Sequence, residues 1–163
     1  MKLANLTLRQ CTPLILVLTA WLALCGCVYD VPITDKPTRA VNEQLLGNWT
    51  SQDGKTKMKV AKYDTGHYVL VYDGELYRAW QSDVAGTPFF SVQSLDSTQP
   101  EGLNKYTYTS WTLAADGTLH GRGVNDKVIP DTTSSPAKVQ KLLRANLKNP
   151  ELLGEEIVFV KDK

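Results

Sequence analysis

Lys57-Met58-Lys59-Val60-Ala61-Lys62-Tyr63-Asp64-Thr65-Gly66-His67-Tyr68-Val69-Leu70-Val71-Tyr72-Asp73-Gly74-Glu75-Leu76-Tyr77-Arg78-Ala79-Trp80-Gln81 is the stretch that decides the fold. Its first seven residues alternate polar and apolar, the period of a half-buried strand. Asp64-Thr65-Gly66 turns that run into the apolar His67 to Tyr72. Asp73-Gly74 then supplies the two-residue hairpin signal, because both central positions of a type I′ turn need positive φ. Glu75 to Gln81 is the returning strand, so three antiparallel strands form a meander.

The same grammar continues on both sides. Phe89 to Leu95 is a fourth run, entered through Gly86-Thr87-Pro88, and Tyr106 to Leu113 with Thr118 to Val124 reads as a hairpin across Ala114-Ala115-Asp116-Gly117. Asn48 to Ser51 is a short opening strand and Glu156 to Lys161 a strong closing one. Between them lies one helix. Ser135 is its N-cap and Pro136 its first residue, where the missing N–H costs nothing. Val139, Leu142, Leu143 and Leu147 make one apolar stripe, and Asn149-Pro150 ends it. About eight strands and one helix predict a mainly β domain, an antiparallel eight-stranded up-and-down barrel with a C-terminal helix before the last strand. Closure of the last strand onto the first removes the exposed edges.

Composition limits the function. The 163 residues carry 18 Lys and Arg against 17 Asp and Glu, 42% hydrophobic residues and a net charge of +1, which suits one globular domain and gives no field to attract nucleic acid. The first 26 residues read as an export signal: Lys2 and Arg9 are the basic start, and Leu14 to Leu24 is an apolar run of the length a signal core needs. Leu24-Cys25-Gly26-Cys27 follows. This stretch resembles the lipobox of bacterial lipoproteins, matching at Leu24, Gly26 and Cys27. The resemblance implies that Cys27 takes a diacylglyceryl group, that cleavage falls before it, and that the new amino group is acylated. Several acyl chains on one residue make a durable anchor. Val28 in place of aspartate after the lipidated cysteine implies, by the same resemblance, the outer membrane, with the domain facing the periplasm. An uncleaved transmembrane anchor over Cys11 to Val28 is the alternative, at the short limit for a span.

Processing of this kind removes Cys11 and Cys25 and blocks Cys27, leaving a mature domain without a free thiol or disulfide. It also removes two basic residues, so the mature charge is −1. Residues 27–44, with Pro32 and Pro37 among charged residues, read as the lipidated cysteine and a flexible tether, and residues 45–163 as the barrel domain.

Gly47-Asn48-Trp49 at the start of the first strand is similar to the Gly-x-Trp signature of lipocalin-like barrels. The resemblance implies that Trp49 closes one end of the barrel, with Gly47 as its structural companion. The chain departs from lipocalins in its length, in lacking a Thr-Asp-Tyr turn and in placing its helix before the last strand.

The residues for catalysis are missing from the pattern. His67 and His120 sit on separate predicted strands without a metal-ligand spacing, no Gly-x-Ser-x-Gly elbow occurs, and Asp53, Asp64, Asp73 and Asp116 occupy turns where aspartate caps backbone amides. The expectation is a non-catalytic monomer with no metal and no cofactor. Aromatic residues are the remaining handle. Tyr68, Tyr72, Trp80, Tyr108 and Trp111 are the candidates to line a cup for a small lipophilic or envelope ligand. Against this stands plain packing, since a small barrel is only just wide enough for its own side chains. A periplasmic protein-interaction module, such as a lysozyme-inhibitor-like or envelope-assembly lipoprotein, is the second reading.

Overall fold

The computed structural model describes residues 28–95 and 105–163. The stretch read as an export signal and the expected lipidation site Cys27 lie outside the described residues. The strands are β1 (Gly47–Ser51), β2 (Lys57–Lys62), β3 (His67–Tyr72), β4 (Glu75–Val84), β5 (Thr87–Ser94), β6 (Tyr106–Leu113), β7 (Leu119–Val124) and β8 (Leu153–Lys161). Each pairs antiparallel with the next, and β8 returns to β1 through Thr50 opposite Val160 and Ser51 opposite Phe159, closing the barrel. Among the described residues one α-helix, α1 (Pro136–Asn146), precedes β8, and the side chain of Ser135 accepts from the Lys138 N–H at its start. The mainly β, eight-stranded up-and-down barrel with a helix before the last strand is thus the observed fold.

The turn chemistry explains the meander. Asp73 and Gly74 have φ of 48° and 91°, the left-handed pair that a tight hairpin needs. Ala85 and Gly86 repeat it at 52° and 86°, with the Asp83 carboxylate accepting from the Gly86 N–H. This second turn lengthens two strands beyond expectation: β4 runs to Val84 instead of Gln81, and β5 begins at Thr87 instead of Phe89. Alanine at the first turn position hides the signal, because it seldom adopts positive φ. Likewise β8 begins at Leu153 instead of Glu156, its start held by the Arg122 guanidinium, which donates to the Leu153 and Gly154 carbonyls.

Alternation divides the apolar residues between two cores. Inside the barrel lie Leu45, Trp49, Met58, Val60, Tyr68, Leu70, Ala79, Phe90, Leu119 and Phe159. Outside it, the outward faces of β4, β5 and β6 carry Val84, Phe89 and Tyr108, which pack with Val139 and Leu143 of α1 and with Ile129 and Leu152 from the flanking loops. Tyr29 and Ile33 complete this outer core, each fully buried.

The last observation corrects the flexible tether expected over residues 27–44, as far as its described part, 28–44, is concerned. This segment lies against the barrel. Tyr29 exchanges two backbone hydrogen bonds of 2.8 Å with Tyr106, the Ile33 N–H donates to Ser91 Oγ, the Thr38 N–H to the Gln81 carbonyl, and the Arg39 guanidinium pairs with Asp83. A turn of 3-10 helix, Glu43–Leu45, leads into β1. Tyr29, Val31 and Ile33 recur at a spacing of two, and burying side chains of this size stabilises by roughly 1.5–3 kcal/mol each, enough to outweigh the freedom that the prolines and charges imply.

Candidate functional site

The barrel interior is sealed where β1 begins. Trp49 is 1% exposed and its indole N–H donates to the Leu45 carbonyl at 2.9 Å. The Lys161 ammonium lies 5.2 Å above the Trp49 ring and donates to the Gln44 carbonyl. Gly47 stands next to this contact with φ 134°, and a Cβ there would meet Lys161 Cε at 2.7 Å. Gly47 and Trp49 therefore sit together beside the 3-10 turn that covers this part of the interior.

Elsewhere the interior is less closed. Tyr72, Tyr77, Val92, Trp111 and Ile157 point inward and are half-buried, packed against the sealed cluster. The Trp111 ring stacks on Phe90 at 4.7 Å and 28°, and Phe90 meets Tyr68 at 5.8 Å. Tyr77 donates to a Glu75 carboxylate oxygen at 2.6 Å. Burial first, then this bond to a charged acceptor, raises the Tyr77 phenol far above its ordinary value. Burial also raises Tyr72, against a bond to Thr56 that opposes it, with Asp73 and Asp53 adding to the rise. Tyr72 and Tyr77 flank the Asp73-Gly74 turn, so this end of the barrel offers neutral phenols and an apolar wall.

The five aromatic residues singled out in the sequence do not form one site. Tyr72 and Trp111 belong to the half-buried interior. Tyr68 is fully buried, and its hydroxyl accepts from the Asn42 N–H at 2.7 Å, tying β3 to the 3-10 turn. Trp80 and Tyr108 face out of the barrel, Tyr108 into the outer core and Trp80 against the N-terminal segment. The Trp80 indole donates to the Thr34 carbonyl at 2.9 Å, and Tyr108 stacks on Tyr29 at 3.8 Å while donating to the Val31 carbonyl. Both hold the N-terminal segment in place. Burial pushes the Tyr108 phenol well up, followed by the effect of Tyr29. Val92 and Ile157, which are not aromatic, were missed; Tyr77, one of the strand tyrosines, is placed inward by the parity of residues about the Asp73-Gly74 hairpin.

The polar candidates have local partners. His67 Nδ1 lies 2.9 Å from Asp64, and His120 Nδ1 lies 3.0 Å from Glu156. Among the described residues, no group of three His, Cys, Asp or Glu is placed to hold a metal ion, and no helix is long and apolar enough to cross a membrane. A depression of about 190 Å³ lies over β1 to β3, lined by Asn48, Trp49, Lys57, Met58, Lys59, Val71, Gly74 and Asp162, and none of the five half-buried inward residues lines it. No family model, no curated protein and no solved structure matches the chain.

Proposed function

We propose that this chain is a non-catalytic lipoprotein of the bacterial outer membrane, anchored through Cys27 and facing the periplasm, whose barrel holds a small lipophilic ligand. The observation that supports the ligand reading is the unequal closure of the interior: Trp49, Tyr68, Leu70, Phe90 and Phe159 are almost fully buried, whereas the inward-facing Tyr72, Tyr77, Val92, Trp111 and Ile157 are not. A stretch of aromatic and aliphatic wall with a few convergent hydroxyls is the composition of a small-molecule site. The protein-interaction reading needs a contiguous apolar patch. Among the described residues, the large apolar side chains left exposed are Val28, Tyr63, Leu76, Leu95 and Val160, and Leu76 and Leu95 adjoin through the Leu95 N–H bond to the Leu76 carbonyl. The unequal closure of the interior favours the ligand reading.

The anchor is tested by metabolic labelling with palmitate, which Cys27→Ser should abolish; labelling that survives, or moves to Cys25, refutes it. The ligand is tested by native mass spectrometry of the full chain purified from membranes in mild detergent. A co-purifying small molecule lost on Trp111→Ala or Tyr77→Ala supports the reading, and a chain that carries none and takes up no apolar probe overturns it.

A further inference from the structure

Thr109 lies on β6 with Phe90 of β5 and Gly123 of β7 as its direct cross-strand partners. It shares the inward face with Phe90 and Trp111, and it is 7% exposed. Its hydroxyl oxygen is buried without a hydrogen-bond partner. A buried hydroxyl of this kind is a net cost to the fold, and native interiors leave few of them. Two other inward-facing hydroxyls are engaged: Tyr68 accepts from Asn42 and Tyr77 donates to Glu75.

Space lies on the neighbouring strand, at the cross-strand partner of Thr109. At Gly121 a Cβ would touch Trp111 at 3.6 Å and Phe159 at 3.8 Å, so the glycine there is filled over by its neighbours. Two residues along the same face, at Gly123, no atom of the described residues comes within 4 Å of the Cβ position. Gly123 has no positive φ that would demand glycine. The interior thus opens on passing from Gly121 to Gly123, opposite a buried hydroxyl that has no partner among the described residues.

We propose that Thr109 and Gly123 form the polar subsite of the barrel, where a small, mainly apolar ligand places a single hydroxyl or carbonyl group. The Thr109 hydroxyl donates to or accepts from that group, Gly123 leaves the room for it, and the apolar body lies along Trp111, Val92 and Ile157. This inference rests on the reading of the barrel as a ligand holder and specifies the ligand's chemistry.

Two probes of the same shape test it, 2-naphthol and 2-methylnaphthalene, which differ by a hydroxyl in place of a methyl. Binding to the full chain is measured by equilibrium dialysis for the wild type, Thr109→Val, Thr109→Ser and Gly123→Val. The wild type should prefer 2-naphthol about fivefold, the worth of one net hydrogen bond. Thr109→Val should lose the preference while still taking 2-methylnaphthalene, Thr109→Ser should keep it, and Gly123→Val should weaken both probes at least about tenfold by filling the space. A second measurement is independent of binding: Thr109→Val should melt no lower than the wild type, because it removes an unpartnered buried hydroxyl without changing shape. An undiminished preference in Thr109→Val, or a melting point several degrees lower, overturns the subsite and leaves the ligand reading standing. A wild-type chain that binds neither probe overturns both.

Discussion

Replacing Trp49 with alanine removes the side chain that covers the sealed part of the interior. An aromatic residue buries about 150–250 Å², and at 1% exposure nearly all of that is withdrawn from water at Trp49. At about 25 cal/mol per Å² the transfer contribution is roughly 4–6 kcal/mol. The Leu45 carbonyl, which accepts from the indole at 2.9 Å, loses its partner, adding about 1 kcal/mol. Partial collapse of Met58, Leu45 and Phe159 into the gap returns some of this, and truncations of tryptophan to alanine cost about 3–5 kcal/mol. A loss of about 4 kcal/mol out of the roughly 5–15 kcal/mol available to a domain of this size leaves little. In urea, with a slope of about 2 kcal/mol per M, the midpoint should fall by roughly 2 M at constant slope. Trp111→Ala should cost about half as much, because its ring is half-buried and loses chiefly the stack on Phe90. Trp80 belongs with Trp49: it is 4% exposed and bonded to Thr34, so Trp80→Ala should be costly as well, contrary to what a cavity-wall position would give. If the Trp49→Ala midpoint lies within about 0.5 M of the wild type at unchanged slope while Trp80→Ala unfolds early, the closing role assigned to Trp49 is wrong.

Two further outcomes follow from the N-terminal segment. A chain that begins at Leu45 forfeits Tyr29 and Ile33 and uncovers Trp80, Phe89 and Tyr108, so its melting point should fall by ten degrees or more, on the order of 3–6 kcal/mol from the two lost side chains alone; a melting point equal to that of a chain beginning at Val28 would show the segment to be a passive tether. The second outcome concerns acid. The Arg39 guanidinium, and then the Gly86 amide, hold the Asp83 carboxyl below the ordinary carboxylate value of 3.8. A carboxyl that binds protons more weakly when folded adds stability that is complete above its unfolded pKa and is lost as pH falls through the folded one. Asp83→Asn should therefore flatten the decline of the urea midpoint below about pH 4, and equal slopes in the two chains would refute the pairing.

The closed barrel was legible because its turns are written in residues with narrow conformational preferences. Asp73-Gly74 fixed the register of β3 on β4, and Ser135-Pro136 marked the start of α1 to the residue. The Ala85-Gly86 turn was not legible, since alanine carries no such preference. The aromatic set failed for a different reason. Counting back two residues at a time from the Asp73-Gly74 hairpin places Tyr72, Leu70 and Tyr68 on one face with Tyr77 and Ala79, and puts Trp80 on the other with His67. Parity thus assigns Trp80 outward, but it cannot say that an outward face is buried; that depended on α1 and on residues 28–39, which come from distant parts of the chain. Thr109 and Gly123 carried no signal at all, because an unpartnered hydroxyl and an unfilled glycine become visible only when neighbouring strands are in place.

The course of residues 28–44 also determines how the domain responds to a mechanical load. A pull applied upstream of Val28 meets Tyr29 first, at its two bonds to Tyr106, then Ile33 at Ser91, Thr34 at Trp80, Thr38 and Arg39 at Gln81 and Asp83, and Val41 at Thr65. These attachments are met in chain order, so force breaks them one after another by peeling, at lower tension than shearing a ladder of bonds loaded in parallel. The β1 to β8 ladder that closes the barrel is reached only when the slack of the whole segment has been drawn out to Gly47. Moderate tension should thus lengthen the chain by the segment's own contour, about 3.3–3.6 Å per residue released, before the barrel opens, and single-molecule pulling in which the barrel ladder gives way first would refute it.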